Sequence, residues 1–319
     1  MKCNICKIEG AYKTYTLKEM MFGFKDTFTY FECDNCGCFQ IENIPANMEK
    51  YYPANYYSFK QDDNKPLQPN YFKGLQFDQI SGYHKSILGG IVSFNYVSAP
   101  YHWFKFLQVD KTKAKVLDIG CGHGDLLKKL FLAGFKNLTG TDPYIEKDIS
   151  YNSQLNIYKK DLLEVAEKFD IIMMHHSLEH MHNQHEVIEK LAQILNPDGK
   201  ILIRIPIMSD YLFDKYGPDL ISLDPPRHFF IHSLKSIKLL LEQYGFTIYK
   251  TEFDAEVTEF IASEQYKMDI PLNDPKSYFT NRNNDIFSKE QVEKFKTEIN
   301  ELNAQGKSSL GVFYVKRKS

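Results

Sequence analysis

An excess of charge of either sign is what this sequence most conspicuously lacks. Its 39 Lys and Arg stand against 41 Asp and Glu, a formal net of −2 over 319 residues. Without a basic surplus there is no electrostatic footprint for nucleic acid, and none is expected as a partner. Cysteine is also scarce, six in all, too few for a disulfide-held fold. Tryptophan occurs once, against 21 tyrosines and 24 phenylalanines, so an aromatic-rich core is expected. Long hydrophobic runs are missing. The start, Met1-Lys2-Cys3-Asn4, has no apolar stretch of the secretory kind. The uncharged stretch from Ser86 to Phe104 is broken by Ser93, Asn95, Ser98, Pro100 and His102, too polar to span a bilayer. It reads as a partly buried helical segment in a cytoplasmic protein without a membrane span. Hydrophobic residues at 43% and charged ones at 25% exclude disordered and collagen-like classes.

What is present is concentrated. Four of the six cysteines form Cys3-x-x-Cys6 and Cys33-x-x-Cys36, the second pair followed by Gly37. Two thiolate pairs at tight turns are what a tetrahedral zinc ion requires, and four thiolates close the site, making it structural. A segment this short cannot build its own core, so residues 1–45 are expected to be a zinc-ribbon-like domain folded by its metal. Thr27 to Phe31 reads as a strand entering the second pair, and Cys38 is the competing ligand. Residues 46–110 read as an irregular connector, rich in Pro, Asn, Tyr and Asp around Tyr51-Tyr52-Pro53-Ala54-Asn55-Tyr56-Tyr57, followed by a helical cap from about His84 to Leu107.

From residue 111 to 319 strand and helix patterns alternate. Short apolar runs at Lys115–Ile119, Asn137–Thr141, Leu155–Tyr158, Phe169–Met174, Lys200–Ile205, Phe246–Tyr249 and Gly311–Lys316 read as strands. Stripes at Leu126, Leu127, Leu130 and Phe131, at Val187, Ile188, Leu191, Ile194 and Leu195, and at Leu234, Ile237, Leu240 and Leu241 read as helices. The second stripe should stop at a Pro197-Asp198-Gly199 turn. Such alternation specifies a doubly wound, mainly parallel α/β sheet.

The first strand runs into Asp118-Ile119-Gly120-Cys121-Gly122-His123-Gly124. Glycines there allow a sharp turn and close approach to a ligand. A dinucleotide fingerprint would need glycine at 125, which is Asp, and Asp118 would repel a pyrophosphate. S-adenosylmethionine carries a sulfonium and an ammonium and no phosphate, so it tolerates both acids. Asp142, ending the second strand, is placed for the ribose hydroxyls, and Asp161 before Leu162, after the third, for the adenine amino group.

Val116-Leu117-Asp118-Ile119-Gly120-Cys121-Gly122-His123-Gly124, Asp142, Asp161 and Ser177-Leu178-Glu179-His180 together resemble a class I S-adenosylmethionine-dependent methyltransferase, over roughly residues 111–319. The resemblance implies a seven-stranded Rossmann-like sheet in the order 3-2-1-4-5-7-6, the last strand antiparallel. It implies cofactor contacts from Asp118, Gly120, Cys121, Gly122, Gly124, Asp142, Asp161, Leu162 and His175.

Five of ten histidines fall between His175 and His185. His176-Ser177-Leu178-Glu179-His180 fits the inverted zinc-protease pattern, but it follows a strand directly, where that pattern needs a long helix. His180 is therefore expected at the cofactor and acceptor cleft. Leu223-Asp224-Pro225-Pro226-Arg227-His228 leads into a helix capped by Ser233. That loop is similar to one in sugar C-methyltransferases that also carry four N-terminal zinc cysteines, and His228 falls at their base histidine. Arg227 stands where they have an acid. The closer likeness is to bacterial methyltransferases of surface-glycan and small-molecule pathways. An imidazole suits the deprotonation of a sugar hydroxyl near neutral pH. The segment from about 254 to 287 reads as a lid-like insertion, whose Tyr266, Lys267, Tyr278 and Arg282 would suit a glycan, a nucleotide-sugar diphosphate or a homodimer contact. The acceptor is expected to be a saccharide or other small molecule. An RNA methyltransferase gripping RNA with its zinc knuckles, and a non-catalytic cofactor-binding regulator, are the alternatives.

Overall fold

The computed structural model describes residues 1–53, 67–96, 98–281 and 286–318. Its main layer is an eight-stranded sheet of β4 (Lys115–Ile119), β5 (Asn137–Thr141), β6 (Ile149–Asn152), β7 (Leu155–Tyr158), β8 (Phe169–His175), β9 (Leu195–Pro206), β11 (Phe246–Phe253) and β12 (Leu310–Arg317). The spatial order is β11-β12-β9-β8-β4-β5-β7-β6. β4, β5, β7, β8 and β9 are parallel, while β12 runs antiparallel to both β9 and β11. β6, absent from the sequence reading, pairs antiparallel with the edge strand β7. Its residues are only partly buried, so no apolar alternation announced it.

Ile171, Ile172, Met173 and Met174 of β8 are all fully buried, as befits a strand covered on both faces. Helices α4 (Asp125–Leu132), α5 (Gln184–Ile194), α6 (Asp210–Tyr216) and α7 (Leu234–Gln243) bury one stripe each, among them Leu127, Leu130 and Phe131 of α4. Ser233 caps α7 by accepting from the amide of Ser236. Pro197-Asp198-Gly199 is not a free turn between elements. It lies within β9, where the pairing with β8 jumps from Phe169↔Leu195 to Ile171↔Lys200.

The span read as an irregular connector contains a helix, α1 (Tyr71–Ser81), with the Asn70 side chain accepting from the Lys73 amide and Gly82 in the left-handed conformation beyond its end. Its apolar residues do not fall on one stripe, which hid it from a periodicity reading. Residues 54–57 of that connector lie outside the described residues. α2 (Ile87–Ser93) and α3 (Ala99–Leu107) follow, and Phe77 of α1 packs edge-on against Tyr101, Phe104 and Phe135. Among the described residues no helix is long and apolar enough to cross a membrane.

The N-terminal strands β1 (Lys13–Lys18), β2 (Thr27–Glu32) and β3 (Phe39–Ile41) form an antiparallel sheet whose fourth member, β10 (Phe230–Ile231), comes from the loop after β9. The N-terminal module is thus stitched into the rest of the chain rather than tethered to it. The expected lid is likewise packed down. α8 (Thr258–Lys267) buries Phe260, Ile261, Ser263, Gln265 and Tyr266, and the following turn donates from Leu272 and Asn273 to the carbonyls of Met20 and Met21. Tyr266, only 7% exposed, is not available as a surface contact. Arg282 lies outside the described residues. A further helix, α9 (Lys289–Gln305), leads back into β12.

Candidate active site

The carboxyl ends of β4, β5 and β8 converge on a cavity of about 220 Å³. Its wall includes Gly120 beyond β4, Asp142 beyond β5, Asp161 and Leu162 beyond β7, and His176, Ser177 and His180 beyond β8. Crevices at this edge are where open α/β sheets bind ligands. Asp142 ties the floor together. Its Oδ2 accepts from the amide of Gly122 at 2.9 Å and its Oδ1 from the amide of Tyr144 at 2.9 Å. Each oxygen retains a lone pair for a further donor. Asp161 caps the turn at Leu162–Glu164, accepting from the Leu163 amide at 2.8 Å.

The glycine loop does less direct ligand work than its sequence suggests. Gly120 borders the cavity with φ +72°, and a Cβ there would sit 2.6 Å from that of Ser177. Gly122 serves through its amide. A Cβ on Gly124 would meet Ile157 Cδ1 at 2.3 Å, so that glycine lets α4 close on β7. Cys121, Gly122, Gly124 and Asp118 do not line the cavity. Asp118 is buried beneath it, where desolvation and then the charge of Asp142 push its carboxyl up to about 8. His175, expected among the cofactor contacts, does not line the cavity. β8 turns it to the far face, where its ring stacks on Trp103 at 4.5 Å and burial drives its pKa well down. His176, in a left-handed conformation at φ +51°, reaches the cavity wall in its place.

His180 forms the inner wall. Its Nδ1 lies 2.8 Å from the Arg227 carbonyl and 3.2 Å from the Tyr52 hydroxyl, and burial lowers its pKa to about 4. His228 is not on the wall. Its ring meets that of His180 edge-on at 4.8 Å, with Nδ1 2.8 Å from the Ser222 carbonyl. Tyr52 and Tyr144, both unforeseen, line the entrance with rings 6.4 Å apart and 9° from parallel. Neither carried a sequence signal beyond being aromatic. Glu179, also unforeseen, is fully buried beside His180.

The loop bearing His228 is anchored to the N-terminal module. Arg227, fully buried, makes a two-pronged contact with Asp224 at 2.6 and 2.9 Å and reaches Glu19 at 2.9 Å. Glu19 in turn accepts from the amides of Met21, Phe22 and Phe24. In the same module the sulfurs of Cys3, Cys6, Cys33 and Cys36 lie within 4.8 Å of one another, with Cys3–Cys36 at 3.6 Å and Cys6–Cys33 at 3.5 Å. Four thiolates around one ion at about 2.3 Å would stand roughly 3.8 Å apart, so the set fits a tetrahedral metal. Gln40 Nε2 donates to Cys3 Sγ at 3.2 Å, a contact of the kind that supports a metal ligand from outside. Cys38 is buried and lies outside this cluster, 3.9 Å from the Phe39 carbonyl.

Several known proteins are similar to this chain. A tRNA U34 carboxymethyltransferase of Nautilia profundicola is 24% identical over 230 residues, covering 65% of this chain and 72% of the relative. An uncharacterized methyltransferase of Bacillus cereus is 29% identical over 147 residues, 44% of this chain and 69% of the relative. Among solved structures, the 1,6-didemethyltoxoflavin-N1-methyltransferase of Burkholderia thailandensis, with bound S-adenosylhomocysteine, covers 90% of this chain and 97% of its own at 13% identity and a TM-score of 0.43. Residues 99–251, which hold the glycine loop, Asp142, Asp161 and both histidine loops, match the family model for a methyltransferase domain.

Proposed function

We propose that the protein is an S-adenosylmethionine-dependent methyltransferase acting on a small acceptor, a saccharide or nucleotide sugar, with structural zinc on Cys3, Cys6, Cys33 and Cys36. The observation that carries this reading is the position of Asp142. It stands at the end of β5, clasped by Gly122, in a cavity that runs on to His180. A carboxylate there accepts ribose hydroxyls, and with Asp161 it favours a cationic cofactor. Methyl transfer is an in-line displacement at carbon, so holding the acceptor oxygen in line with the sulfonium is the main task. His180, backed by His228, supplies the nitrogen beside that oxygen. Thiolates kept reduced for metal suit a cytoplasmic setting.

Calorimetry tests the cofactor assignment. S-adenosylhomocysteine should bind well ahead of NAD, and Asp142→Ala should weaken it by about 1–3 kcal/mol, the worth of hydrogen bonds to a charged group. Binding of NAD with no response to the adenosyl ligands would overturn it. The relative named for a tRNA supports an RNA acceptor as the second reading, against which the net charge of −2 counts. Methyl transfer from labelled cofactor to tRNA but not to sugars would decide for RNA.

A further inference from the structure

Two imidazoles and a carboxylate meet at the inner end of the cavity. A ring nitrogen of His180, one of His228 and a carboxylate oxygen of Glu179 lie within 4.8 Å of one another. Both histidines are fixed in the same protonation pattern. Each Nδ1 lies 2.8 Å from a backbone carbonyl, that of Arg227 for His180 and that of Ser222 for His228. A carbonyl only accepts, so each Nδ1 carries the hydrogen, and in the neutral ring each Nε2 keeps the lone pair. This is how metal-binding histidines are held from behind.

Glu179 supplies the second, independent observation. It is fully buried, and neither carboxylate oxygen has a hydrogen-bond partner among the described residues. His176 Nδ1 stands 3.4 Å from Oε1. An ionised carboxylate so placed is costly unless a positive group completes it. The other acid nearby, Asp224, is already engaged by Arg227. Its Oδ2 lies 3.9 Å from His228 Nε2.

We propose that Glu179, His180 and His228 form a two-histidine, one-carboxylate site for a divalent first-row cation, opening through His180 onto the cavity. Two nitrogens and one oxygen favour manganese, iron(II), cobalt or zinc over magnesium and calcium, which prefer all-oxygen sets. Ligand atoms 2.0–2.2 Å from an ion stand roughly 3–4 Å apart, so binding from separations within 4.8 Å closes the cluster by at most roughly 1–2 Å. Three protein ligands leave positions free on the cavity side for an acceptor oxygen. That use of the site rests on the methyltransferase reading; its existence does not.

Manganese is the probe, because four thiolates do not compete for it. Purified full-length protein should take up one Mn2+ per chain in an electron paramagnetic resonance titration, and pulsed measurements on the wild type should show coupling to imidazole nitrogen. Glu179→Gln and His228→Ala should each weaken binding by about 100-fold or more. No saturable uptake, a saturable site without nitrogen coupling, or unchanged binding in both folded variants would each overturn the proposal. Should the variants fail to fold, the nitrogen coupling in the wild type decides alone. Calorimetry with S-adenosylhomocysteine on the same preparation keeps the two readings apart. Manganese without adenosyl binding removes the methyltransferase reading, and the reverse removes only the cation site.

Discussion

The hydroxyl of Tyr30 donates to the backbone carbonyl of His228 at 2.8 Å, across 198 residues of sequence. Both residues are buried, and the bond joins the N-terminal module directly to the histidine behind the cavity wall. With Arg227 on Glu19 one residue earlier, and Phe230 paired to Gln40 two residues later, the loop is held at three successive points by the first 41 residues. The cysteine-bearing module therefore forms the back of the site.

Arg227→Leu should be strongly destabilising. It would leave Glu19, at 0% exposure, and Asp224 buried with no compensating charge. Breaking a buried ion network from one side costs about 3–5 kcal/mol. Urea unfolding measures this, and a loss below about 1 kcal/mol would show that the acids find other partners.

With zinc on Cys3, Cys6, Cys33 and Cys36 as proposed, Cys33→Ser should release it and loosen β1 to β3. The face of the eight-stranded sheet that packs against α1, α3 and α4 should stay folded, since none of the four cysteines belongs to its core, whereas the opposite face shares its core with the cysteine module and should loosen with it. Turnover should nevertheless fall, because β10 loses its partner. Metal analysis with circular dichroism tests the first part, and full activity in a metal-free variant would refute the second.

Asp118 provides a pH test with a definite sign. Its folded pKa is raised to about 8 from an unfolded value near 4, so between these limits the folded state holds a proton that the unfolded state has lost. The stability it contributes is complete below about pH 4 and is lost progressively as the pH rises towards 8. Asp118→Asn keeps a neutral group at every pH. The wild type should therefore lose ground to the variant between pH 5 and pH 8, in unfolding midpoints measured without cofactor. A constant difference would mean that the carboxyl is already ionised at pH 5.

His180→Ala and His228→Ala should each lower turnover by about 10²–10⁴-fold while cofactor affinity stays nearly unchanged. Because His180 is on the wall and His228 behind it, His180→Ala should also raise KM for the acceptor. Steady-state kinetics with an identified acceptor separates the two. Full activity in both variants would leave the acceptor to be activated elsewhere.

Much of this arrangement was legible in the sequence, for physical reasons that also mark where legibility ended. The central strands announce themselves because burial on both faces demands unbroken apolar runs, as at Ile171 to Met174. The convergence of the four cysteines is legible because each Cys-x-x-Cys spacing brings two thiols together at a turn. α1 was missed because its burial rests on Phe77 and Ser81 alone. His175 ends β8 and stacks on Trp103, while His176, one residue past the strand at φ +51°, turns to the cavity wall, so a backbone torsion that no apolar pattern encodes decides which of the two meets the cavity. Arg227 looked like a departure from an acidic neighbour. Its partner Glu19 lies in a different element far away in sequence, and only the folded chain reveals the pair.

The pairing of β3 with β10 also governs how the protein can be made. During synthesis β3 leaves the ribosome early, while the strand that covers its edge appears only after most of the central sheet has been translated. For that interval the nascent chain carries an open β edge bearing Phe39 and Ile41, the kind of edge that recruits other chains. Metal on the cysteines at that stage would hold the edge in shape without closing it. A fragment trimmed to residues 99–251 would inherit the reverse defect, with Phe230 and Ile231 facing solvent. Expression yield should therefore depend on supplying the first 41 residues, in the same chain or as a separate peptide.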